Sequence, residues 1–283
     1  MPPLHVIVLA AGKGKRMHSD LPKVLHRVAG RPLLAHVVAT AGRLEPAAVH
    51  VVHGHEGAQV RACFGDGSIR WSEQEKQLGT GHAVMQALPE VPDDAVCLIL
   101  YGDVPLVRSD TLRAVIDPAV AGAVGLLTSV VENPQGLGRI RRDREGRVLG
   151  IVEEKDASDD ERSIKEINTG ILAAPASALR RWVEALDNRN AQGEYYLTDV
   201  IAMAVGEGIE IRTVSPTTPE ETLGANDRIE LSRLERAYQR REAEALMRAG
   251  VSLDDPARLD VRGQVSAGRD VRIDVNVILE GDV

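Results

Sequence analysis

Aromatic residues are scarce in this chain, since Trp, Tyr and Phe together account for 2% of its 283 residues. A core must therefore be built from Val, Leu, Ile and Ala, and the hydrophobic content of 43% is ordinary for a globular protein. Cysteine is also rare. Cys63 and Cys97 are too few for a disulfide framework or a CxxC metal site, so we expect each to be a small buried hydrophobic residue.

Two further classes of protein are disfavoured by what the sequence lacks. The N-terminus has no basic region followed by a long apolar run, and the first apolar stretch, Val6 to Ala11, is much too short for a signal peptide or a membrane span. We therefore expect a soluble, cytoplasmic protein with no membrane partner. The net charge of −8 lacks the basic excess typical of nucleic-acid binders, so no nucleic acid is expected as a partner.

Strand and helix signals alternate through the first half of the chain. Short apolar runs have the length of buried strands, and segments of helical length separate some of them. The predicted strands are His5–Ala11, Ala48–His53, Ile69–Ser72 and Ala95–Leu100, and the predicted helices are Pro32–Arg43 and Thr80–Leu88. This order predicts an α/β fold whose mostly parallel sheet is wound by helices on both faces, with ligands bound at the carboxyl ends of the strands.

The second half predicts an added, partly antiparallel lobe. Arg139–Arg142 and Val148–Glu153 resemble two strands joined by a hairpin turn at residues 143–146. Further on, Asp227 opens the longest helical pattern and, with Glu230 three residues later, resembles a capping box.

The tail from residue 251 has its own period. Val265, Val271, Val277 and Val283 recur every six residues, a spacing typical of a parallel β-helix with one strand per repeat. An ordinary pair of strands is the alternative. A solenoid needs several stacked coils to bury its core, and about one coil is contained in this sequence.

A glycine-rich, basic loop follows the first predicted strand. Gly12 and Gly14 leave its backbone bare, so main-chain N–H groups can approach an anionic ligand closely. The cations of this loop are Lys13, Lys15, Arg16 and Lys23. An ordinary loop with solvated lysines is the alternative. Met17 stands at the third glycine position of the dinucleotide fingerprint, and no G-x-x-x-x-G-K-[ST] exists, so neither common phosphate motif is present.

Eight motifs follow one another over nearly the whole chain: LAAGKGKRM at 9–17, LPKVLH at 21–26, EQEKQLGTGHA at 73–83, YGDVPL at 101–106, GLGRI at 136–140, IVEEKDA at 151–157, EINTGI at 166–171 and EYYLTD at 194–199. In this order they resemble the sugar-nucleotide pyrophosphorylases, a group of nucleotidyltransferases. In particular, the chain resembles the N-terminal uridylyltransferase part of the bifunctional bacterial N-acetylglucosamine-1-phosphate uridylyltransferase/glucosamine-1-phosphate acetyltransferases.

The resemblance implies the fold in more detail. It implies a Rossmann-like, mostly parallel sheet flanked by helices, of the nucleotide-diphospho-sugar transferase type, with a small, partly antiparallel sugar-binding lobe. The start of a left-handed parallel β-helix would follow. The implied domains are a pyrophosphorylase (uridylyltransferase) domain at 1–226, a linker helix at 227–250, and the truncated start of the hexapeptide-repeat acetyltransferase domain at 251–283.

It also implies a Mg²⁺-dependent reaction. UMP would be transferred from UTP to N-acetyl-α-D-glucosamine 1-phosphate, giving UDP-N-acetylglucosamine and pyrophosphate for peptidoglycan and lipopolysaccharide synthesis. Reactants of like negative charge must be brought together, so positioning and charge neutralisation should do most of the work. Arg16 and Lys23 are the catalytic residues implied by the resemblance, with Lys23 nearest the α-phosphate.

The resemblance assigns the remaining site residues. Those implied to bind the nucleotide are Leu9, Ala10, Ala11, Gly12, Lys23, Gln74, Gly79 and Thr80. Gln74 would read uracil, because a side-chain amide can donate and accept hydrogen bonds. Those implied to bind the sugar are Tyr101, Gly102, Asp103, Gly138, Glu153, Asn168 and Tyr196.

Asp103 and Asn226 are the metal ligands implied by the resemblance, and oxygen ligands suit Mg²⁺. The neighbouring Asp227 leaves open which of the two residues faces the metal. We prefer Asn226, because the resemblance places the ligand there and Asp227 is engaged as the cap of the long helix.

Two alternative functions stay open. The same fold could act on another sugar phosphate or nucleotide, or the chain could be a non-catalytic module whose tail mediates assembly. Acetyl transfer requires a complete β-helix, so we expect this chain to lack that activity and the parent protein to have it. The parent is expected to be a homotrimer built through the β-helix, whereas the oligomeric state of this chain, including a monomer, is left open.

Overall fold

The computed structural model of the protein describes residues 1–54, 57–65, 67 and 69–283. The strands in these ranges are Leu4–Ala10 (β1), Arg27–Val28 (β2), Arg31–Pro32 (β3), Ala48–His53 (β4), Ile69–Glu73 (β5), Val96–Tyr101 (β6), Val124–Val130 (β7), Arg139–Arg142 (β8), Val148–Val152 (β9), Glu166–Pro175 (β10), Ile211–Val214 (β11), Ser252–Leu253 (β12), Leu259–Gln264 (β13), Arg272–Ile273 (β14) and Val277–Asp282 (β15). The helices are Leu33–Gly42 (α1), Gly57–Ala62 (α2), Thr80–Ala87 (α3), Ser109–Val120 (α4), Asp159–Arg162 (α5), Ala176–Glu184 (α6), Asp199–Gly206 (α7) and Arg228–Arg248 (α8).

The central sheet has the strand order β11-β7-β10-β6-β1-β4-β5. Strand β1 lies between β4 and β6 and is parallel to both. β5 is parallel to β4 and β11 to β7, whereas β10 runs antiparallel to its neighbours β6 and β7. The predicted α/β fold, with a mostly parallel sheet flanked by helices, is confirmed.

The side chains of β1 explain why the sheet is covered on both faces. Ile7 and Leu9 join one hydrophobic cluster with residues of α3, α6 and α7. Val6 and Val8 join another with residues of α1 and α4. Because successive side chains of a strand point to opposite faces, a continuous apolar run requires cover on both sides.

A small antiparallel extension is built onto one end of this sheet. β8 and β9 pair antiparallel, as the turn at residues 143–146 predicted, and β8 also pairs with β10. The buried Arg139 forms an ion pair of 2.5 Å with Glu154. The second lobe therefore contains the predicted hairpin.

The long helix α8 begins as its sequence predicts. The Asp227 carboxylate accepts hydrogen bonds from the backbone N–H groups of Ile229 and Glu230, both at 2.8 Å. Glu230 differs from a standard capping box, since its carboxylate accepts from the backbone N–H of Asn226 at 2.6 Å. This arrangement ties down the segment that carries Asn226.

The tail forms parallel pairs, β12 with β14 and β13 with β15. Leu259 stands opposite Val277, 18 residues later, which equals three six-residue repeats. Val265 and Val271 pack with these strands in a small cluster that includes Leu246 of α8. The pairing agrees with the hexapeptide period, and the left-handed β-helix remains a prediction.

The cysteine prediction is half right. Cys97 in β6 is fully buried, but Cys63 is exposed. Cys63 follows α2, whose buried face is supplied by Gly57 and Val60, so the end of this helix leaves the cysteine in solvent. Across the described ranges, the helices include none long and apolar enough to cross a membrane.

Gly125 in β7 gives a test of the helix–sheet packing. A Cβ at this position would lie 1.8 Å from the carbonyl oxygen of Val115 in α4, so backbone would have to move. We expect Gly125→Ala to lower the free energy of unfolding by roughly 2–3 kcal/mol, measured by urea denaturation. Gly42→Ala at the end of α1, where the described residues leave open space, is the control; equal effects would contradict the close approach.

Candidate functional site

A cleft of about 620 Å³ opens where β1 and β6 end. The two strands are parallel neighbours, so the loops that follow them leave the same edge of the sheet. The predicted residues that line this cleft are Leu9, Ala10, Ala11, Gly12, Lys23, Gln74, Gly79, Thr80, Tyr101, Asp103 and Asn226. The fold therefore brings the predicted nucleotide-binding and metal-binding residues together.

Lys23, Asp103 and Asn226 meet in this cleft. The Lys23 ammonium donates to Oδ2 of Asp103 at 2.5 Å and to Oδ1 of Asn226 at 3.3 Å. The side chains of Lys23 and Asp103 are 14% and 15% exposed, so their ion pair is largely shielded from water. Two oxygen atoms from distant parts of the chain thus converge on one positive charge.

Local structure holds each of these groups in place. Lys23 begins a short 3₁₀ turn, Lys23–Leu25, whose other two side chains are buried. Asp103 is the second residue after the end of β6. Asn226 is the residue before Asp227, and Asp227 is turned toward the backbone of α8. Between these neighbours, the side chain of Asn226 is the one that reaches the Lys23 ammonium.

The glycine-rich loop is shaped by tight contacts. Gly14 has φ of +56°, and a Cβ there would lie 2.7 Å from Cβ of Lys23. A 3₁₀ turn at Lys15–Met17 follows, and the buried Met17 side chain anchors it. On the other side, the Gln77 side-chain amide donates to the carbonyl of Ala11. The loop therefore keeps its form through side chains far apart in sequence.

The predicted catalytic Arg16 differs from its neighbours. Like Lys13 and Lys15 it is exposed, but those two lysines line the cleft, whereas Arg16 lies outside its described lining. Membership of the basic cluster therefore did not decide which cation lines the cleft. Gln77 and Glu194 also line the cleft and were not predicted, although both lie within the quoted motifs.

The segment at residues 78–81 is packed against the EYYLTD motif. The backbone N–H of Tyr195 donates to the Leu78 carbonyl at 2.7 Å, and Gly81 donates to the Tyr195 carbonyl at 2.8 Å. Gly79 has φ of +108°, and a Cβ there would lie 2.6 Å from the same carbonyl. Only glycine fits this crossing, which explains the glycine in QLGTG.

The predicted sugar-binding residues Gly138, Glu153 and Asn168 form a second group. The backbone N–H of Asn168 donates to the Gly138 carbonyl at 2.8 Å. Both carboxylate oxygens of Glu153 lie 3.4 Å from the position of a Cβ on Gly138, so a side chain there would fill the space beside them. These three residues lie outside the described lining of the cleft.

Tyr101 lies between the two groups. Burial raises the pKa of Tyr101, and the negative charges of Glu153 and Asp103 raise it further. Gly170 has φ of +84°, and a Cβ there would lie 2.4 Å from the Tyr101 ring. The bare backbone of Gly170 therefore makes room for the tyrosine that connects the cleft to Glu153.

Two other predicted residues have structural contacts. The backbone N–H of Gly102 donates to the carbonyl of Leu9 at 2.9 Å. A Cβ on Gly102 would crowd side chains of β1 and α1. The Tyr196 hydroxyl accepts from the Gln192 amide at 2.9 Å and donates to Asp156 at 3.3 Å. Neither Gly102 nor Tyr196 belongs to the described lining of the cleft.

The two consecutive glutamates, Glu153 and Glu154, have pKa values shifted in opposite directions by their surroundings. Burial raises the pKa of Glu153 above its usual 4.5, although a hydrogen bond from Thr198 opposes this, and nearby carboxylates, first Asp199, add to the rise. The pKa of Glu154 is lowered, chiefly by its hydrogen bond from Arg139. Glu153 is thus the one that meets Gly138, while Glu154 is engaged in an ion pair.

These opposite shifts predict opposite effects on stability. A raised carboxyl pKa contributes stability below the unfolded pKa, and this is lost as the pH rises through the folded pKa. We therefore expect Glu153→Gln to raise the melting temperature at pH 8 and to give little gain at pH 4. Glu154→Gln is the matched control. It should lower the melting temperature at pH 8, because it removes the charged partner of Arg139. Equal shifts at both pH values for Glu153→Gln would contradict this.

Residues 6–134 match the family model of the MobA-like NTP transferase domain. A nucleotidyl transferase from Methanothermobacter thermautotroptrophicus covers 84% of this chain and 99% of its own, with a TM-score of 0.59 and 19% identity. A putative glucose-1-phosphate thymidylyltransferase from Bacillus anthracis covers 82% and 94%, with a TM-score of 0.65 and 18% identity. At these identities the two structures support the fold alone.

Residues 6–134 thus match an NTP transferase domain, on a fold that this chain shares with solved nucleotidyltransferases. A protein named Bifunctional protein GlmU from Alkalilimnicola ehrlichii is 56% identical over 280 residues, covering 99% of this chain and 60% of that protein. Its namesake from Marinobacter nauticus is 54% identical over 283 residues, covering 100% and 62%. The predicted resemblance is confirmed: over its whole length this chain is similar to proteins named Bifunctional protein GlmU, and it spans about 60% of their length.

Proposed function

We propose that this chain transfers UMP from UTP to N-acetyl-α-D-glucosamine 1-phosphate in the cytoplasm, releasing pyrophosphate and UDP-N-acetylglucosamine. The observation that carries this proposal is the meeting of Lys23, Asp103 and Asn226 beside a glycine-rich loop at the carboxyl end of β1. The relationship to proteins named GlmU, at 54–56% identity, supports the choice of sugar and nucleotide.

The reaction is a displacement at the α-phosphorus of UTP. A phosphate oxygen of the sugar phosphate forms the new bond to that phosphorus, while the bond to the oxygen bridging the α- and β-phosphates breaks. The electron pair leaves with pyrophosphate. A phosphate monoester already carries a nucleophilic oxygen, so no side chain is needed as a general base. Lys23 offsets the charge that develops between the two anions.

Mg²⁺ is the proposed cofactor, with Asp103 and Asn226 as its ligands. The fit rests on their Oδ atoms, which already share one cation, the Lys23 ammonium, and which are hard oxygen donors. Within the described residues, no three His, Cys, Asp or Glu side chains form a metal-holding group, so phosphate oxygens and water would complete the coordination. When bound, the metal would neutralise phosphate charge.

The nucleotide is proposed to lie along the loop from Leu9 to Gly12. Lys13 and Lys15 line the same cleft and supply two further charges for the triphosphate. Arg16 remains a proposed catalytic residue, from a position beside the described lining of the cleft. Gln74, Gly79 and Thr80 are proposed to hold the base.

The sugar phosphate is proposed to bind beyond Tyr101. Gly138, Glu153 and Asn168 lie together there, and the space beside the Glu153 carboxylate is kept open by the missing side chain of Gly138. A carboxylate accepts hydrogen bonds from sugar hydroxyls. Gly102 and Tyr196 are proposed to shape this side of the site, Gly102 through the backbone and Tyr196 through its contact with Asp156.

The domain limits 1–226, 227–250 and 251–283 are proposed as the transferase domain, linker helix and start of the acetyltransferase domain. We propose that the parent protein also acetylates glucosamine 1-phosphate with acetyl-CoA and is a homotrimer through its β-helix. Its product would serve the synthesis of peptidoglycan and lipopolysaccharide.

Pyrophosphate release tests this proposal directly. The protein is mixed with Mg²⁺ and each pair of a nucleoside triphosphate (UTP, CTP, dTTP) and a sugar phosphate (N-acetylglucosamine, glucosamine or glucose 1-phosphate). Fastest release with UTP and N-acetylglucosamine 1-phosphate supports the proposal. Faster release with another pair indicates the alternative substrate class. Absence of pyrophosphate release with every pair would leave the alternative of a non-catalytic assembly module. That alternative is tested by measuring the mass in solution of the chain with and without the residues beyond Gly250.

A further inference from the structure

The side-chain amide of Gln74 has a fixed orientation. Gln74 is 3% exposed, and its Nε2 atom lies 3.0 Å from the carbonyl oxygen of Gly79. A backbone carbonyl can only accept, so the amide nitrogen must face Gly79 and the amide oxygen must face away from it. The orientation therefore follows from the partner and not from the glutamine itself.

The second N–H of the Gln74 amide is directed at His82. Its Nε2 atom lies 3.0 Å from Nδ1 of His82, in the first turns of α3. Since the amide nitrogen donates, Nδ1 must be the unprotonated nitrogen of a neutral imidazole. Burial lowers the pKa of His82 below 6.5, which favours the neutral ring at neutral pH.

The other nitrogen of His82 does not contradict this assignment. The amide nitrogen of Gln86 lies 3.4 Å from Nε2 of His82, beyond the usual range of an N–H hydrogen bond. The same amide donates to the His82 carbonyl at 3.0 Å. Gln86 therefore leaves the tautomer to be decided by the shorter contact with Gln74.

We infer that His82 is a positioning residue for base selection, which acts by holding the Gln74 amide so that its oxygen alone is offered to the nucleotide. Both N–H groups of the amide are occupied, one by Gly79 and one by His82. Gln74 lines the cleft, and its oxygen has no hydrogen-bond partner among the described residues. The inference rests on the proposed function, since it takes a uridine nucleotide as the ligand.

An accepting oxygen discriminates between the two common pyrimidines. The N3 position of uracil carries a hydrogen and donates, whereas N3 of cytosine accepts. An amide free to turn over could serve either base, because it can present its oxygen or its nitrogen. An amide held by Gly79 and His82 can pair with N3 of uracil and leaves N3 of cytosine facing another acceptor. Specificity then comes from an unpaired group against the wrong base.

Binding of UTP and CTP, measured by calorimetry with Mg²⁺ and without sugar phosphate, tests the inference. His82→Leu removes the acceptor and keeps an apolar side chain, while His82→Asn offers an oxygen near the position of Nδ1. We expect His82→Leu to weaken UTP binding about tenfold and to reduce the UTP:CTP affinity ratio by a similar factor, the effect of one lost positioned hydrogen bond. His82→Asn is expected to restore the wild-type ratio.

The protonation of His82 provides a second measurement. Two-bond ¹H–¹⁵N spectra of the full chain, assigned by comparison with His82→Asn, should show Nδ1 of His82 as the unprotonated nitrogen. A proton on Nδ1 would overturn the inference, because the Gln74 amide could not then donate to it.

The remaining outcomes are also decisive. An unchanged UTP:CTP affinity ratio in His82→Leu would overturn the inference. Equal losses of UTP affinity in His82→Leu and His82→Asn, with equal falls in melting temperature, would show that His82 has only a structural role. A wild-type chain that binds CTP as tightly as UTP would also overturn the inference. Failure of the proposed reaction appears separately, as absent pyrophosphate release from a chain that still prefers UTP in the binding experiment.

Discussion

Asp103→Asn is expected to reduce kcat/KM for pyrophosphate release by roughly 10²- to 10³-fold, the size of effect seen when one group that stabilises transition-state charge is removed. The amide keeps the shape of the carboxylate but loses its charge, and so loses both the proposed metal ligand and the ion pair with Lys23. The measurement is steady-state pyrophosphate release, with calorimetry for Mg²⁺ binding. Both activity and metal affinity should fall.

Asp110→Asn is the matched control for this change. Asp110 is an exposed acid in the first turn of α4, and its ion pair is with Arg113 on the same helix at 3.9 Å. Loss of the Asp110 charge should leave kcat/KM for pyrophosphate release unchanged. Because a shielded ion pair is broken in Asp103→Asn, circular dichroism at the assay temperature must establish that this variant is folded. Activity of folded Asp103→Asn within twofold of the wild type would contradict its proposed role.

Lys23→Met is expected to reduce kcat by a similar factor, roughly 10²- to 10³-fold, but to have the opposite effect on metal binding. In the structure, the Lys23 ammonium lies against the Oδ atoms of Asp103 and Asn226 and therefore competes with a metal ion for them. With methionine at this position, Mg²⁺ should bind in the absence of nucleotide at least as tightly as it binds to the wild type. Calorimetry measures this, and pyrophosphate release measures kcat.

The control for this variant is Lys165→Met. Lys165 is exposed, and its ammonium donates to the Glu132 carbonyl at 2.7 Å. Lys165→Met removes a charge of the same sign from the surface and leaves the cleft unchanged. If Lys23→Met lost metal affinity as Asp103→Asn does, Lys23 would be a support for the metal ligands and not a competitor. If its kcat were that of the wild type, Lys23 would have no part in charge neutralisation.

The elements most accurately predicted are those that depend on near neighbours. Strand β1 follows from a continuous apolar run, and the hairpin of β8 and β9 follows from the turn at residues 143–146. Asp227 caps α8 through N–H groups two and three residues away. Interactions of this range depend on local backbone geometry, so the sequence contains them directly. The motif order likewise predicted the similarity to the proteins named GlmU.

Which way a side chain faces was less predictable. Arg16 and Lys15 are adjacent in the same loop, yet Lys15 lines the cleft and Arg16 lies outside its described lining. Cys63 was expected inside and is exposed, because the short helix before it buries other positions. Composition indicates that a loop is basic or a residue apolar, but the direction of each side chain is decided by packing against the rest of the fold.

By itself the sequence determined the α/β class, the glycine-rich and basic character of the loop after β1, and the similarity to the proteins named GlmU. Only the tertiary structure decided that Lys23 meets Asp103, 80 residues away, and Asn226, 203 residues away. It also decided that the Gln74 amide nitrogen meets Gly79 and His82, the contacts from which we infer that Gln74 offers its oxygen. The physical reason is that both results depend on partners that the strand order brings together, and no local periodicity encodes the position of such partners.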